Sequence, residues 1–208
     1  MVDKNIIEPK ENKSELKKRE IVKSIFRLVA KDGMENISMA KIAKGIDIPS
    51  SLIFHYFKNK QELIYSLVDY TLELCQSQGR VELQSKLGLS CRFDEYIDDQ
   101  FREAVETSKD EIIVYFACRN MANRDEIVFK KFKDHEELII QQSMMDIEHY
   151  IAQGEIEHAN PRMAACYLTS IINGIAYMSD FIAETEMFQK AVAEHKIKIL
   201  EYFKYKNK

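Results

Sequence analysis

A chain of 208 residues that is 46% hydrophobic can bury a sizeable core. Its formal net charge of −4 hides an uneven division, with 13 Lys+Arg against 9 Asp+Glu in residues 1–64 and 17 against 25 in the remainder. No stretch reaches the 18 apolar residues of a membrane span, the opening MVDKNIIEPKENKSE is too polar for a signal peptide, and Cys75, Cys91, Cys118 and Cys166 are scattered without a Cys-x-x-Cys pair. The expectation is a cytoplasmic protein with reduced core thiols, no membrane partner, and neither a disulfide nor a zinc framework.

Six Gly, three Pro and no strand-length alternation of Val, Ile and Thr make the chain all-α, with about nine helices. The first runs from about Ser14 to Asp32, after a polar leader over 1–13, with Ile21, Val22, Ile25, Phe26, Leu28 and Val29 inward and Gly33 as its stop. Lys10, Lys13, Lys17, Lys18, Arg19, Lys23, Arg27 and Lys31 crowd this segment, which suits contact with a polyanion, although any single one of them reads as an ordinary solvated face.

Met39, Ile42, Ala43 and Ile46 fall at i, i+3, i+4 and i+7, the stripe of a short second helix. Asp47-Ile48-Pro49 breaks it, and Pro49 suits the opening of a third helix that carries Ser50, Ser51, Leu52, Ile53, Phe54, His55 and Tyr56. Two helices joined so tightly make a helix-turn-helix, here over about 38–57, a device for reading DNA. Ser50, Ser51, His55 and Tyr56 have short or rigid polar ends that can reach phosphates or base edges, while Leu52, Ile53, Phe54 and Phe57 are expected to seat the helix. Lys58-Asn59-Lys60 leads into a fourth helix, and Lys60 with that helix's first N–H groups is expected to clamp a phosphate.

Over about residues 14–64 the chain resembles the N-terminal domain of the TetR family of bacterial transcriptional regulators. The resemblance is carried by Gly33, by Ser38 at the start of the second helix, by Ile42-Ala43, and by the string Phe54-His55-Tyr56-Phe57-Lys58-Asn59-Lys60. It departs from the family at Asp47, where a turn Gly is usual, at Pro49, where a Ser is usual, and at Leu52, where a Thr is frequent. Asp tolerates a left-handed backbone, so the turn is expected to survive; the lost Thr hydroxyl puts the operator sequence in doubt rather than the fold. The resemblance implies DNA contact by Ser38, Ser50, Ser51, His55, Tyr56, Lys58 and Lys60.

The fourth helix carries Leu63, Ile64, Leu67, Val68, Leu72 and Cys75 toward Gly79 as one continuous rod, and the resemblance implies that residues 65–208 form a larger domain for ligand binding and dimerisation. After a region around Gly88, helices are expected at about 92–107, 110–122, 124–153, 160–184 and 186–204. In the helix after Asn160-Pro161 apolar residues cover a wide arc, and Tyr167, Ile171, Ile175 and Met178 are expected to join the last helix in a four-helix interface with a second copy. The TetR resemblance implies such a homodimer. It also implies an internal pocket for a small apolar or amphipathic effector, with Tyr96, Tyr115, Met144 and Tyr167 as candidate lining among many aromatic and Met residues.

No metal site is expected. His135 and His149 would lie about 21 Å apart along one helix, so the acidic and His residues around them read as surface charge. Nor does the chain carry a Gly-rich phosphate loop, a Gly-x-Ser-x-Gly turn or a His-Glu-x-x-His pair, so neither an enzyme nor a cofactor is expected. The expectation is a repressor that leaves its near-palindromic double-stranded DNA operator when an effector binds. The alternative is a helical adaptor module that keeps the fold without reading DNA.

Overall fold

Helix ends in this chain coincide with residues able to satisfy the backbone groups a helix leaves unpaired. The computed structural model describes residues 13–86 and 91–206, where every long element is a helix. These are α1 (Lys13–Asp32), α2 (Met39–Gly45), α3 (Ser50–Tyr56), α4 (Lys60–Lys86), α5 (Phe93–Glu106), α6 (Lys109–Met121), α7 (Glu126–Ala152), α8 (Pro161–Ile182) and α9 (Glu186–Tyr202), with a single 3-10 turn at Met34–Asn36. Ser38 accepts from the Lys41 amide, Asp125 from Ile127 and Val128, Asn160 from Met163, and Thr185 from Phe188. Each such cap contributes about 1 kcal/mol. The continuous fourth helix, expected to run toward Gly79, passes through that residue and reaches Lys86. A lone Gly costs a helix only about 1 kcal/mol, and no Pro follows to end it. The expected irregular region around Gly88 lies outside the described residues.

The chain divides into two compact units, Met1–Tyr70 and Thr71–Lys208. The division falls at Tyr70, within α4, rather than at residue 64. Leu63, Ile64 and Leu67 are buried, and the Tyr70 ring meets Phe26 of α1 edge-on at 5.7 Å, so these first turns of α4 complete the N-terminal core. The rest of that core is the inner face of α1 (Ile21, Val22, Ile25, Val29), Ile37, Ile42 and Ala43 of α2, and Ile53 and Phe57 at α3.

In the second unit α8 is central and packs against α5, α6, α7 and α9. Ala164 and Ala165 are fully buried, small enough to let neighbouring backbones come close. Around α8 the core gathers Phe93, Tyr96, Ile97 and Phe101 of α5, Ile147 and Tyr150 of α7, Leu168 and Ile175 of α8, and Phe188, Ile199 and Phe203. Phe93 is ringed by Phe203, Tyr150 and Tyr96 at centroid distances of 5.0, 5.3 and 6.0 Å. Phe93→Ala is expected to cost about 3–5 kcal/mol of unfolding free energy in urea denaturation, because the rigid rings around the cavity cannot collapse into it.

His135 is not surface charge, as expected from its acidic neighbours, but a buried residue of α7 whose Nδ1 lies 3.3 Å from Gln76 Nε2. Burial pushes its pKa below the usual imidazole range, with Glu136 opposing. The unfolded chain therefore takes up this proton before the folded one does. The neutral imidazole's contribution to stability is present above the ordinary His pKa and drains away as pH falls below it. The His135→Gln variant is expected to lose less melting temperature than the wild type between pH 7.5 and pH 5; equal losses in the two proteins would refute this.

Cys118 is fully buried with its Sγ 4.0 Å from Thr71 Oγ1, and burial pushes both its thiol and that of Cys75 up to about 12. Burial also raises the Cys91 thiol, which lies 3.2 Å from the Tyr150 hydroxyl. No group of three or more metal-ligating side chains occurs among the described residues, and no helix there is long and apolar enough to cross a membrane.

Candidate nucleic-acid interface

The α2–α3 turn is closed by the backbone. Ile48 N–H donates to Ala43 O at 3.0 Å, and Asp47 adopts φ 52°, the left-handed conformation that the usual Gly would supply. Pro49, at φ −62° and ψ 141°, caps α3 instead of opening it, so the helix begins at Ser50, one residue later than expected.

Two turns of helix leave little choice of face. Ile53 and Phe57 are buried against α1 and α2, which turns Ser51, Phe54 and His55 outward, next to exposed Lys58 and Asn59. Phe54 was expected to help seat the helix, yet it is 54% exposed. Successive helical residues point about 100° apart, so Ile53 and Phe54 cannot share an inner face. Phe54 thus joins the presented surface, where an aromatic face can meet a thymine methyl or a deoxyribose. The sequence pattern hid it inside an apolar run. Ser50 and Tyr56 are half-buried at the helix flanks, with the Tyr56 ring edge-on to His55 at 5.1 Å.

The phosphate clamp expected from Lys60 and the start of α4 is not formed. Lys60 Nζ donates to the Ile37 carbonyl at 2.7 Å, tying α4 to the α1–α2 connection. At the same helix end Asn59 Oδ1 accepts from Glu62 N–H at 2.8 Å, and the Glu62 carboxylate accepts from Lys58 N–H at 2.8 Å. This reciprocal cap satisfies the local donors and puts an anion where the phosphate was expected. Outward cations include Lys58, Lys41 and Lys44 of α2, and the line Lys23, Arg27, Lys31 at i, i+4, i+8 on α1. Ser38, although exposed, spends its hydroxyl oxygen on the Lys41 amide at 3.2 Å.

The sequence profile of the bacterial regulatory proteins of the tetR family matches residues 21–67, which is α1 through the first turns of α4. Residues 21–67 thus form a DNA-binding domain of the TetR type. Over 51 residues it is 39% identical to an uncharacterized helix-turn-helix-type transcriptional regulator of Haemophilus influenzae; the match covers 23% of this chain and 27% of that protein. The TetR-like fold extends further than the sequence likeness. Salmonella enterica GusR superposes with a TM-score of 0.71 at 18% identity, over 92% of this chain and 99% of that one. A TetR transcription regulator from Haloarcula marismortui gives 0.70 at 18% identity, over 91% and 97%. The choline complex of a proposed transcriptional regulator from Saccharomonospora viridis gives 0.72 at 16% identity, over 90% and 96%.

The residues expected to line an effector pocket are not gathered into one wall. Tyr96 is buried, with its hydroxyl 3.4 Å from Asp146, and Met144 packs on the same core. Tyr115 instead bonds Glu136 at 3.2 Å and stacks edge-on with Phe132 at 5.4 Å. The two carboxylate partners are ten positions apart on α7, about 15 Å along the helix. Tyr167 lies on an outer face of α8 against the Tyr202 ring at 4.3 Å.

The residues expected at a dimer interface also split. Ile175 is only 4% exposed and belongs to the chain's own core, Ile171 is half-buried, and Tyr167 and Met178 face out. Ile175 sits about 80° around the helix from Tyr167, enough to turn it inward. The outward apolar line is Met163, Tyr167, Ser170, Gly174, Tyr177 and Phe181, at alternating spacings of four and three residues. That is the 3.5-residue repeat of a helix-packing seam. At its centre a Cβ added to Gly174 would meet nothing within 4 Å. On α9, Met187 and Ile197 are exposed as well.

Proposed function

We propose that this protein is a TetR-family transcriptional regulator, a cytoplasmic homodimer that represses from a near-palindromic double-stranded DNA operator and leaves it when a small apolar or amphipathic effector binds. The observation that carries the reading is α3. It is anchored by Ile53 and Phe57 and presents Ser51, Phe54 and His55 beside Lys58, the mix of base-reaching and phosphate-reaching groups a recognition helix needs. The exposed seam on α8 supports pairing, and the choline bound to a structural relative supports a small-molecule effector. The role is regulatory, not enzymatic.

An effector releases DNA only by favouring a conformation that binds it less well. An effector that weakens operator binding tenfold must itself bind tenfold more weakly to the DNA complex, a coupling of about 1.4 kcal/mol. The test is a mobility shift with the DNA upstream of the protein's own gene. A retarded band that unlabelled copies of that DNA compete away, and random DNA does not, supports the reading. Equal competition by both would favour the adaptor alternative.

A further inference from the structure

Past α9 the chain turns back on itself at a residue that resists the turn. Lys204 N–H donates to Glu201 O at 3.0 Å and Tyr205 N–H to Leu200 O at 2.9 Å, the paired bonds of a Schellman cap. Such a cap needs a left-handed residue, usually Gly, and here Lys204 supplies it at φ 48°. Phe203 before it is fully buried, with its ring 5.0 Å from that of Phe93, whereas Tyr205 is half-buried and Lys204 and Lys206 are exposed. The chain is therefore anchored in the core as far as Phe203 and lies on the surface from Lys204 to Lys206.

What holds the surface part is polar and comes from two distant places in the sequence. The Tyr205 hydroxyl accepts from Arg92 Nε at 2.9 Å and Nη2 at 2.5 Å, and it donates to Asp94 Oδ1 at 2.7 Å. Arg92 and Asp94 also pair with each other at 3.0 Å, which closes a ring of charge-assisted bonds at the start of α5. One residue on, Lys206 N–H donates to Glu155 O at 2.9 Å, and its ammonium meets the Glu157 carboxylate at 2.6 Å. The Glu155 carboxylate in turn accepts from Phe93 N–H at 2.8 Å, so the α7–α8 connection bridges Lys206 to the first amide of α5. Exposed ion pairs contribute little one at a time, and the left-handed Lys204 opposes them. Only jointly do these contacts hold that backbone in place, so losing the Tyr205 bonds releases the others with it.

We propose that residues 204–206 form a strap that opens and closes as one unit on a hinge at Lys204, with the Tyr205 hydroxyl as its latch, and that the closed strap fixes the first turn of α5 against the end of α9. Opening leaves the core intact, because Phe203 and the rings around it keep their packing. The strap depends on this chain's own contacts and is independent of the regulatory reading above.

Amide hydrogen exchange of the full chain, followed residue by residue by NMR, tests this. The amides of Phe93, Tyr205 and Lys206 are the reporters, and that of Leu168, fully buried in α8, is the reference. In the wild type the three reporters are expected to share one opening equilibrium and to exchange well ahead of Leu168. Tyr205→Phe keeps the ring, which lies 6.1 Å from that of Phe93, but removes the latch. It is expected to speed exchange at Phe93 and Lys206 by about threefold or more and to leave Leu168 unchanged. Lys204→Asn, whose side chain tolerates the left-handed backbone, is expected to slow the same amides by about twofold. Reporters that open with unrelated equilibria, no acceleration in Tyr205→Phe, or Leu168 accelerated by the same factor as Phe93 would overturn the proposal. Faster exchange in Lys204→Asn would remove the hinge, and the strap with it.

Discussion

Replacing Tyr177 and Phe181 together with glutamate is expected to turn a dimer into a monomer at micromolar concentration without loss of helicity. Tyr177 is 54% and Phe181 67% exposed, so neither substitution disturbs the chain's own packing. Both lie on the 3.5-residue seam of α8, and a paired copy would bring four new carboxylates together in a region that must shed water. Sedimentation velocity reads the outcome directly. Ile175→Glu is the contrasting control: it buries a charge in the C-terminal core and is expected to unfold that unit instead of merely separating copies. A wild-type protein that sediments as a monomer at micromolar concentration would remove the seam from the account.

Operator binding is expected to split along the two kinds of contact that α3 and its flank present. A dimer that sets two α3 helices into successive major grooves should protect half-sites whose centres lie about 34–36 Å apart, or a small multiple of that. Phe54→Ala and His55→Ala are expected to change which sequences are preferred, at about 1–3 kcal/mol for a lost base-edge contact. Lys58→Ala is expected to weaken all sequences alike and to reduce the slope of log affinity against log salt by about 1. Lys60→Ala should act differently, through stability, because its ammonium is held by the Ile37 carbonyl. Fluorescence anisotropy across a salt series separates these cases. Should Lys58→Ala leave the salt slope unchanged, Lys58 does not touch phosphate.

Sequence periodicity was a good guide where a long helix has one buried face, and a poor one where a helix is short or buried on most sides. Caps at Ser38, Asn160 and Thr185 are local signals, so the starts of α2, α8 and α9 could be read within a residue. The face of α3 was harder, because its central run Leu52-Ile53-Phe54 is apolar all round. Only its contact with α1 and α2 decides that Ile53 goes in and Phe54 out. The same difficulty put Ile175 on the wrong side of α8, a helix apolar over too wide an arc to show which stripe meets its own core. His135 was misjudged through its charged neighbours, which say nothing about the direction its side chain takes from α7.

The thiols described earlier bear on how this protein meets electrophiles and oxidants. Nucleophilic attack by cysteine needs the thiolate, and at neutral pH a thiol with a pKa of about 12 holds almost none. Cys75 and Cys118 are thereby expected to react slowly with peroxide and maleimide while the fold is intact, and Cys91 is slowed in the same sense. Cys166, half-buried on α8 next to Tyr167, is left as the first thiol an alkylating reagent should reach. A fluorophore placed there would sit beside the surface where two copies are proposed to meet.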